Sequence, residues 1–278
     1  MRSDKSKRKK NYTKKEGNKG LSRPKIKTVA PVDNEQLRLN RYISHSGVCA
    51  RREADVLIQE GKIKVNGKRV TELGTKVLFS DLVEYNGKKL HFEKPSYILL
   101  NKPKGFLSTV KDDRGRRTVM ELVQGAGTER LFPVGRLDMN TTGLLLLTND
   151  GELTTKLTHP SHMVQKIYHV TVDKSIEDEH IEQIKKGLDL EDGFIKVDGV
   201  SRIEKGENNE LGLEIHSGKN RIVRRIMEHL GYNVIRLDRV VFANLNKKDI
   251  PRGKWRRLSP QEITFLKRIT KNKSESPS

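Results

Sequence analysis

The sequence predicts an α+β protein built in two folded units, and three observations carry that expectation. Its 278 residues exceed a typical single domain. From residue 96 onward, strand-like runs are joined by irregular helices with no regular strand–helix alternation, which argues against a doubly wound parallel sheet. The preceding stretch, residues 37–95, is of another kind: two short helical patterns followed by two Asn-Gly hairpin signals.

The chain opens on a basic arm. Residues 1–30 hold twelve Lys and Arg against two acids, a net of +10 with almost no apolar content, so the arm, taken as residues 1–36, is expected to be disordered. Order is expected to begin near Leu37, where Leu39, Tyr42 and Ile43 share a helical face that Ser46-Gly47 ends. A second helix repeats the spacing at Ala54, Leu57 and Ile58, with Arg51 and Arg52 at its exposed start and Gly61 at its end. Lys62 to Val65 alternates as a strand into the Asn66-Gly67 turn, and another strand pair surrounds Asn86-Gly87. Glu93 to Ser96 reads as a linker.

The second unit, residues 96–267, starts with Tyr97-Ile98-Leu99-Leu100, a buried strand ending in the breaker-rich turn Asn101 to Gly105. A flexible basic loop is expected from Lys111 to Arg117. Strands are expected at Leu144 to Thr148, Ile167 to Val172, Gly212 to His216 and Val234 to Val241. Helices are expected at Glu152 to Leu157, His180 to Gly187 and Ile222 to Leu230. The last residues, 268–278, read as a frayed polar tail.

Composition narrows the function classes. A formal charge of +20, from 56 Lys and Arg against 36 Asp and Glu, favours a polyanionic partner, and nucleic acid is the natural one. A single cysteine, Cys49, supports neither an internal disulfide nor a structural zinc. His159 and His162 lie close together but have no Cys or acidic cluster beside them, so no metal is expected. No GxGxxG or phosphate-loop pattern follows the apolar strand ending at Leu147, so no nucleotide cofactor is expected. No run approaches the roughly 20 apolar residues that cross a bilayer, and the basic N-terminus lacks an apolar signal segment. A cytoplasmic monomer without membrane contact is the expectation. Trp255 and Phe242 are expected in the core.

The segment richest in chemistry is Phe132 to Gly151. Arg136 stands two residues before Asp138 in a Gly-bounded loop that leads into the Leu144–Leu147 run, which puts a carboxylate beside a cation on a rigid scaffold. The residues alone leave two readings open, because a loop aspartate also caps helices and fixes Asx turns.

Resemblance to known families adds to this. LRLNRYISHSGVCARREADVLIQEGKIKVNGKRV resembles the small S-four-type RNA-binding module first known from a ribosomal small-subunit protein. By that resemblance Arg41, Arg51, Arg52, Lys62 and Lys64 are expected to face RNA phosphates. GRLDMNTTGLLLLTNDG resembles the signature of pseudouridine synthases, in the RsuA and RluB branch that modifies bacterial ribosomal RNA. YILLNKPKG, KIYHV and GKNRIVRRIMEHLGYNVIRLDRV match its further motifs, and the likeness runs from about Leu37 to Leu266.

The resemblance implies a mixed, largely antiparallel sheet with a central cleft. It puts the nucleophilic aspartate at Asp138, the arginine associated with the flipped-out nucleotide at Arg136, and the tyrosine that stacks on the target base at Tyr168. Arg224 aligns with the basic residue that pairs with the catalytic carboxylate and favours its charged form. Lys102, Lys219, Arg221 and Arg225 are expected to contact RNA, although Arg221 stands where the sister group has histidine. Ribosomal RNA is then the expected partner and no cofactor is needed. Large-subunit RNA is the leading target and small-subunit RNA the alternative. A non-catalytic RNA-binding assembly factor would share the charge and the small module, but it has no need for the set Arg136, Asp138, Tyr168 and Arg224.

Overall fold

The computed structural model describes residues 36–269; the basic arm and the polar tail expected at the two ends lie largely outside this range. The first unit is a small two-layer module. Strand β1 (Gln36–Arg38) leads into α1 (Leu39–His45) and α2 (Arg51–Gln59). The strands β2 (Ile63–Val65), β3 (Lys68–Val70), β4 (Lys76–Leu78), β5 (Val83–Tyr85) and β6 (Lys88–Lys89) follow. β4 pairs with β1, while β2, β3, β5 and β6 form one antiparallel sheet in the order β3-β2-β5-β6.

Both Asn-Gly signals make the tight turns their chemistry favours. Asn66 and Gly67 have φ of 49° and 79°, and Asn86 and Gly87 have 49° and 74°. Positive φ at both central positions gives the turn whose twist matches the paired strands. Leu39, Tyr42, Ile43, Ala54, Ile58, Ile63 and Val83 pack into one core, as the helical spacing requires.

The second unit is built on one large mixed sheet. In chain order come β7 (Tyr97–Lys102), α3 (Val119–Leu122), β8 (Phe132–Pro133), β9 (Thr142–Thr148), α4 (Gly151–Thr158) and a short 3-10 turn at Pro160–His162. Then follow β10 (Lys166–Val172), α5 (Asp178–Lys186), β11 (Leu188–Leu190), β12 (Gly193–Ile195), β13 (Gly199–Arg202), β14 (Glu210–Ile215) and α6 (Ile222–His229). The chain ends with β15 (Val234–Phe242), β16 (Leu245–Asn246), β17 (Trp255–Arg257) and α7 (Pro260–Ile269). The sheet order is β13-β14-β10-β15-β9-β7-β17, with β16 on β15 and β8 on β9. Every pairing in it is antiparallel except β15 with β9.

The unbroken leucine run in β9 is explained by burial on both faces. Leu145 and Leu147 enter the core beneath α3, α5 and α6, whereas Leu144 and Leu146 enter the core with α4 and α7. The α+β expectation holds, and the strands and helices foreseen from periodicity are all present.

Three local expectations need correction. Gln36 belongs to β1 and α7 runs to Ile269, so Gln36, Arg268 and Ile269, expected in the arm and the tail, lie in regular elements. Glu93 is no free linker residue: its N–H donates to His45 O at 3.0 Å, and its carboxylate accepts from Arg130 N at 3.0 Å and Asn149 Nδ2 at 3.2 Å. The loop from Lys111 to Arg117 is a fastened turn. Asp112 accepts from the N–H groups of Arg114 and Arg116 and from the Arg116 guanidinium, and Arg117 lies over the Phe106 ring.

Candidate active site

The loop between β8 and β9 is held from below by a lysine. Lys102 ends β7 fully buried, and its ammonium donates to the carbonyls of Pro103 at 3.1 Å, Asp138 at 3.1 Å, Met139 at 3.3 Å and Thr141 at 2.8 Å. Lys102 is therefore not the RNA-facing residue that the resemblance implied. A lysine on an inward-facing strand position cannot reach solvent, and here it serves the backbone of the Asp138 loop. Burial lowers its ammonium to about 8, with Asp138 opposing the shift.

Two further contacts fasten the same loop. Ser108 Oγ donates to Leu137 O at 3.0 Å and accepts from Leu137 N at 3.2 Å; Gly105 N donates to Met139 O at 2.9 Å. Where the loop becomes β9, Thr142 Oγ1 donates to Asp238 of β15 at 2.9 Å. Asp238 also accepts from both terminal nitrogens of Arg252, at 3.0 and 3.1 Å, and from Lys247. Burial works to raise the Asp238 carboxyl, but the hydrogen bonds from Arg252 and Lys247 outweigh it and hold the group at about 2.

Gly143 makes the β9–β15 approach possible. Its φ is 105°, and a Cβ there would stand 2.2 Å from Arg239 O and 2.5 Å from Arg239 N. Only glycine fits so close a backbone crossing.

With the loop fixed this way, Asp138 is left 39% exposed on the wall shared by two depressions. The first, of about 260 Å³, is lined by Asp138, Tyr168, Leu237, Phe242, Lys166 and Arg239, with Arg136 and Arg221 at its side. The second, of about 670 Å³, lies toward Lys111, Arg116 and Met139. Arg221 Nη1 stands 3.9 Å and Arg224 Nε 4.0 Å from Asp138 Oδ2. Arg221 takes a left-handed conformation, φ 49°, at the start of α6, which swings its side chain to the carboxylate. Arg224 is anchored by Nη1 on Val234 O at 3.1 Å, and its buried Nε has no hydrogen-bond partner.

The structure thus brings Asp138, Arg136, Tyr168 and Arg224 together and adds Arg221 to them. The residues expected to face RNA are spread more widely. Arg51, Arg52, Lys62 and Lys64 are exposed on the first module, Lys62 pairing with Glu60. Arg41 bridges to Glu152 of α4 at 3.4 Å. Arg225 pairs with Asp192 outside both depressions, while Lys219 lines the first with its ammonium on Asp192 O. Phe242 is core, as expected, and Trp255 is half-buried on β17.

Lys166, Arg239 and Asp238 were not foreseen from the sequence. A signal existed: Lys166 and Arg239 occupy inward-facing strand positions two residues from Tyr168 and Leu237, where an apolar side chain is the rule. The ammonium of Lys166 bonds to the carbonyls of Val164 and His216, and burial together with the neighbouring Arg239 charge lowers it to about 8. Among the described residues no group of three or more His, Cys, Asp or Glu is placed to hold a metal, and no helix is long and apolar enough to cross a membrane.

A carboxylate recessed among arginines, with an aromatic ring beside it and basic surface running onto a separate module, defines an enzyme that works on a polyanion. Comparison with known proteins sharpens this. Residues 96–229 match the RNA pseudouridylate synthase family and residues 37–83 match the S4 domain. The chain is 43% identical over 235 residues to ribosomal large subunit pseudouridine synthase B of Bacillus subtilis (strain 168), covering 84% of this chain and 96% of that protein. It is 37% identical over 246 residues to the dual-specificity RNA pseudouridine synthase RluF of Escherichia coli (strain K12), covering 87% and 82% respectively. A crystal structure of a pseudouridylate synthase superposes with a TM-score of 0.58 and 27% identity over 83% of this chain and 99% of the other. The chain belongs to the RNA pseudouridylate synthase family and carries an N-terminal S4 domain.

Proposed function

We propose that this protein converts one uridine of large-subunit ribosomal RNA to pseudouridine in the cytoplasm, with Asp138 as the catalytic carboxylate. The observation that carries the reading is the position of Asp138: exposed to a small depression walled by Tyr168, within 4.0 Å of two guanidinium groups, on a loop fastened from three sides. The choice of the large subunit is supported by the 43% identity to an enzyme named for it.

The reaction moves the uracil from an N1–C1′ to a C5–C1′ bond. When the N1–C1′ bond breaks, its electron pair leaves with the base, and Asp138 supports the electron-poor sugar carbon, either through space or by bonding to it. The base turns, C5 bonds to C1′, the C5 proton leaves and N1 gains a proton, so the atoms balance without a co-reactant. The target nucleotide must first leave its stack, which costs a few kcal/mol. Arg136, exposed beside Asp138, is placed to meet the extruded backbone, and Tyr168 offers a face to the base. The S4 domain presents Arg51, Arg52 and Lys64 to RNA, where phosphate neutralisation adds sequence-independent affinity.

The test is pseudouridine mapping by carbodiimide labelling and primer extension. Ribosomal RNA of both subunits is taken from cells lacking the gene, then from cells complemented with wild type or with Asp138→Asn. Loss of one large-subunit site, restored by wild type alone, is the expected result. A small-subunit site would move the target, and an unchanged map would overturn the reading.

A further inference from the structure

Arg239 is 2% exposed, yet it lines the depression beside Asp138. It pairs across the sheet with Tyr168, so the two side chains leave the sheet on one face. Two interactions fix its guanidinium: Nε donates to Leu144 O at 2.8 Å, and the group's central carbon lies 4.6 Å from the centre of the Phe242 ring. Nη2 is buried and has no partner. A locked guanidinium donor kept from water without an acceptor is costly, unless a ligand brings the acceptor. Lys166 beside it offers none, since it too is a cation.

The shape of the depression says which atom arrives. Of the groups that line it, Asp138 is the open one at 39% exposure and Arg239 the covered one at 2%, which sets a mouth and a floor, and the apolar surfaces of Tyr168, Leu237 and Phe242 suit a flat ring. On the reading that the chain isomerises a uridine, the ribose stays at the mouth by Asp138 and the ring points inward. The part of a uracil farthest from its glycosidic nitrogen is C4 with its oxygen O4.

We propose that Nη2 of Arg239 donates to O4 of the extruded uracil, making Arg239 the residue that reads the base. Cytosine presents an amino group at that position, and a guanidinium, which only donates, cannot pair with it. The hydrogen bond also serves the chemistry. As the N1–C1′ bond breaks, the electron pair entering the ring spreads through the C5=C6 bond to O4, and a fixed buried cation is complementary to that charge.

Once the site is mapped, short RNAs carrying uridine, 4-thiouridine or 2-thiouridine at that position separate the outcomes. Product is followed under single turnover by nucleoside chromatography after digestion, and folding of each variant by thermal melting. Sulfur accepts hydrogen bonds poorly, so wild type is expected to slow ~10-fold or more on 4-thiouridine and little on 2-thiouridine. Arg239→Met should slow ~10–100-fold on uridine, mainly in the maximal single-turnover rate with the half-saturating enzyme concentration within about threefold, and show almost no further loss on 4-thiouridine. Arg239→Lys should recover part of the rate. Equal penalties for O4 replacement in wild type and Arg239→Met would overturn the assignment, as would a wild type indifferent to 4-thiouridine, which needs no variant to fold. Wild type inactive on RNA of either subunit would instead remove the functional reading, and this proposal with it.

Discussion

Asp238→Asn isolates the clamp that joins the start of β9 to β15. The side chain is 14% exposed and accepts from Thr142, Lys247 and both terminal nitrogens of Arg252. Asparagine keeps the shape but removes the charge, and it turns a donor toward one of these cations. A carboxyl held at about 2, against roughly 3.9 in an unfolded chain, contributes on the order of 2–3 kcal/mol at pH 7. For a unit of this size that corresponds to a melting-temperature drop of about 5–10 °C.

The sign with pH follows from the depressed native value. The contribution is complete above the unfolded value near pH 4 and fades as pH falls toward 2, so about half should remain at pH 3. Trp255 is the chain's one tryptophan and pairs with Leu100 in the large sheet, so its fluorescence reports this unit and not the S4 domain. The gap between wild type and Asp238→Asn should be widest at pH 7 and narrow at pH 3. A gap of the same size at both pH values, or none at pH 7, would refute the electrostatic account of the clamp.

Lys102→Met should loosen the Asp138 loop and lower kcat by ~10-fold or more, because small displacements of reacting groups are costly. RNA affinity in a filter-binding assay should stay within about threefold, and an unchanged kcat would rule out the supporting role. Gly143→Ala forces a Cβ to 2.2 Å from Arg239 O, so melting should fall sharply or the protein should fail to fold; wild-type melting would contradict the close β9–β15 crossing. Deleting residues 1–35 should flatten the salt dependence of RNA binding by roughly 0.7–0.9 in the log–log slope for each phosphate that the arm neutralises in the full-length protein. An identical slope would make the basic arm a spectator.

Periodicity read the core well because two-sided and one-sided burial leave different patterns. β9 shows an unbroken apolar run, β14 alternates from Leu211 through Leu213 to Ile215, and α6 buries Ile222, Val223, Ile226 and Met227. The turns were legible because Asn-Gly has few conformational choices. The set Arg136, Asp138, Tyr168 and Arg224 came from motif likeness, and no spacing rule would have joined residues so far apart along the chain. Lys102 was misread because the sequence shows a charge but not which way a strand turns it. Glu93 and Asp112 looked like loop residues because their partners, Asn149, Arg130 and the backbone of the Arg114 turn, are set by tertiary structure or by a turn that periodicity does not register.

The one parallel seam in the large sheet also bears on how the chain is made. β9 can pair with β7 as soon as it emerges, but Thr142 meets Asp238 only after a further 96 residues. At translation rates of roughly 5–20 residues per second, the Thr142–Gly143 end of β9 waits about 5–20 s for β15, while β8 already covers the strand at Leu147 and Thr148. During that interval the Asp138 loop has its contacts to Lys102 and Ser108, which precede it in the chain, but not the one to Asp238. The loop that carries Asp138 therefore gains its last support, Thr142 on Asp238, only once β15 has been made.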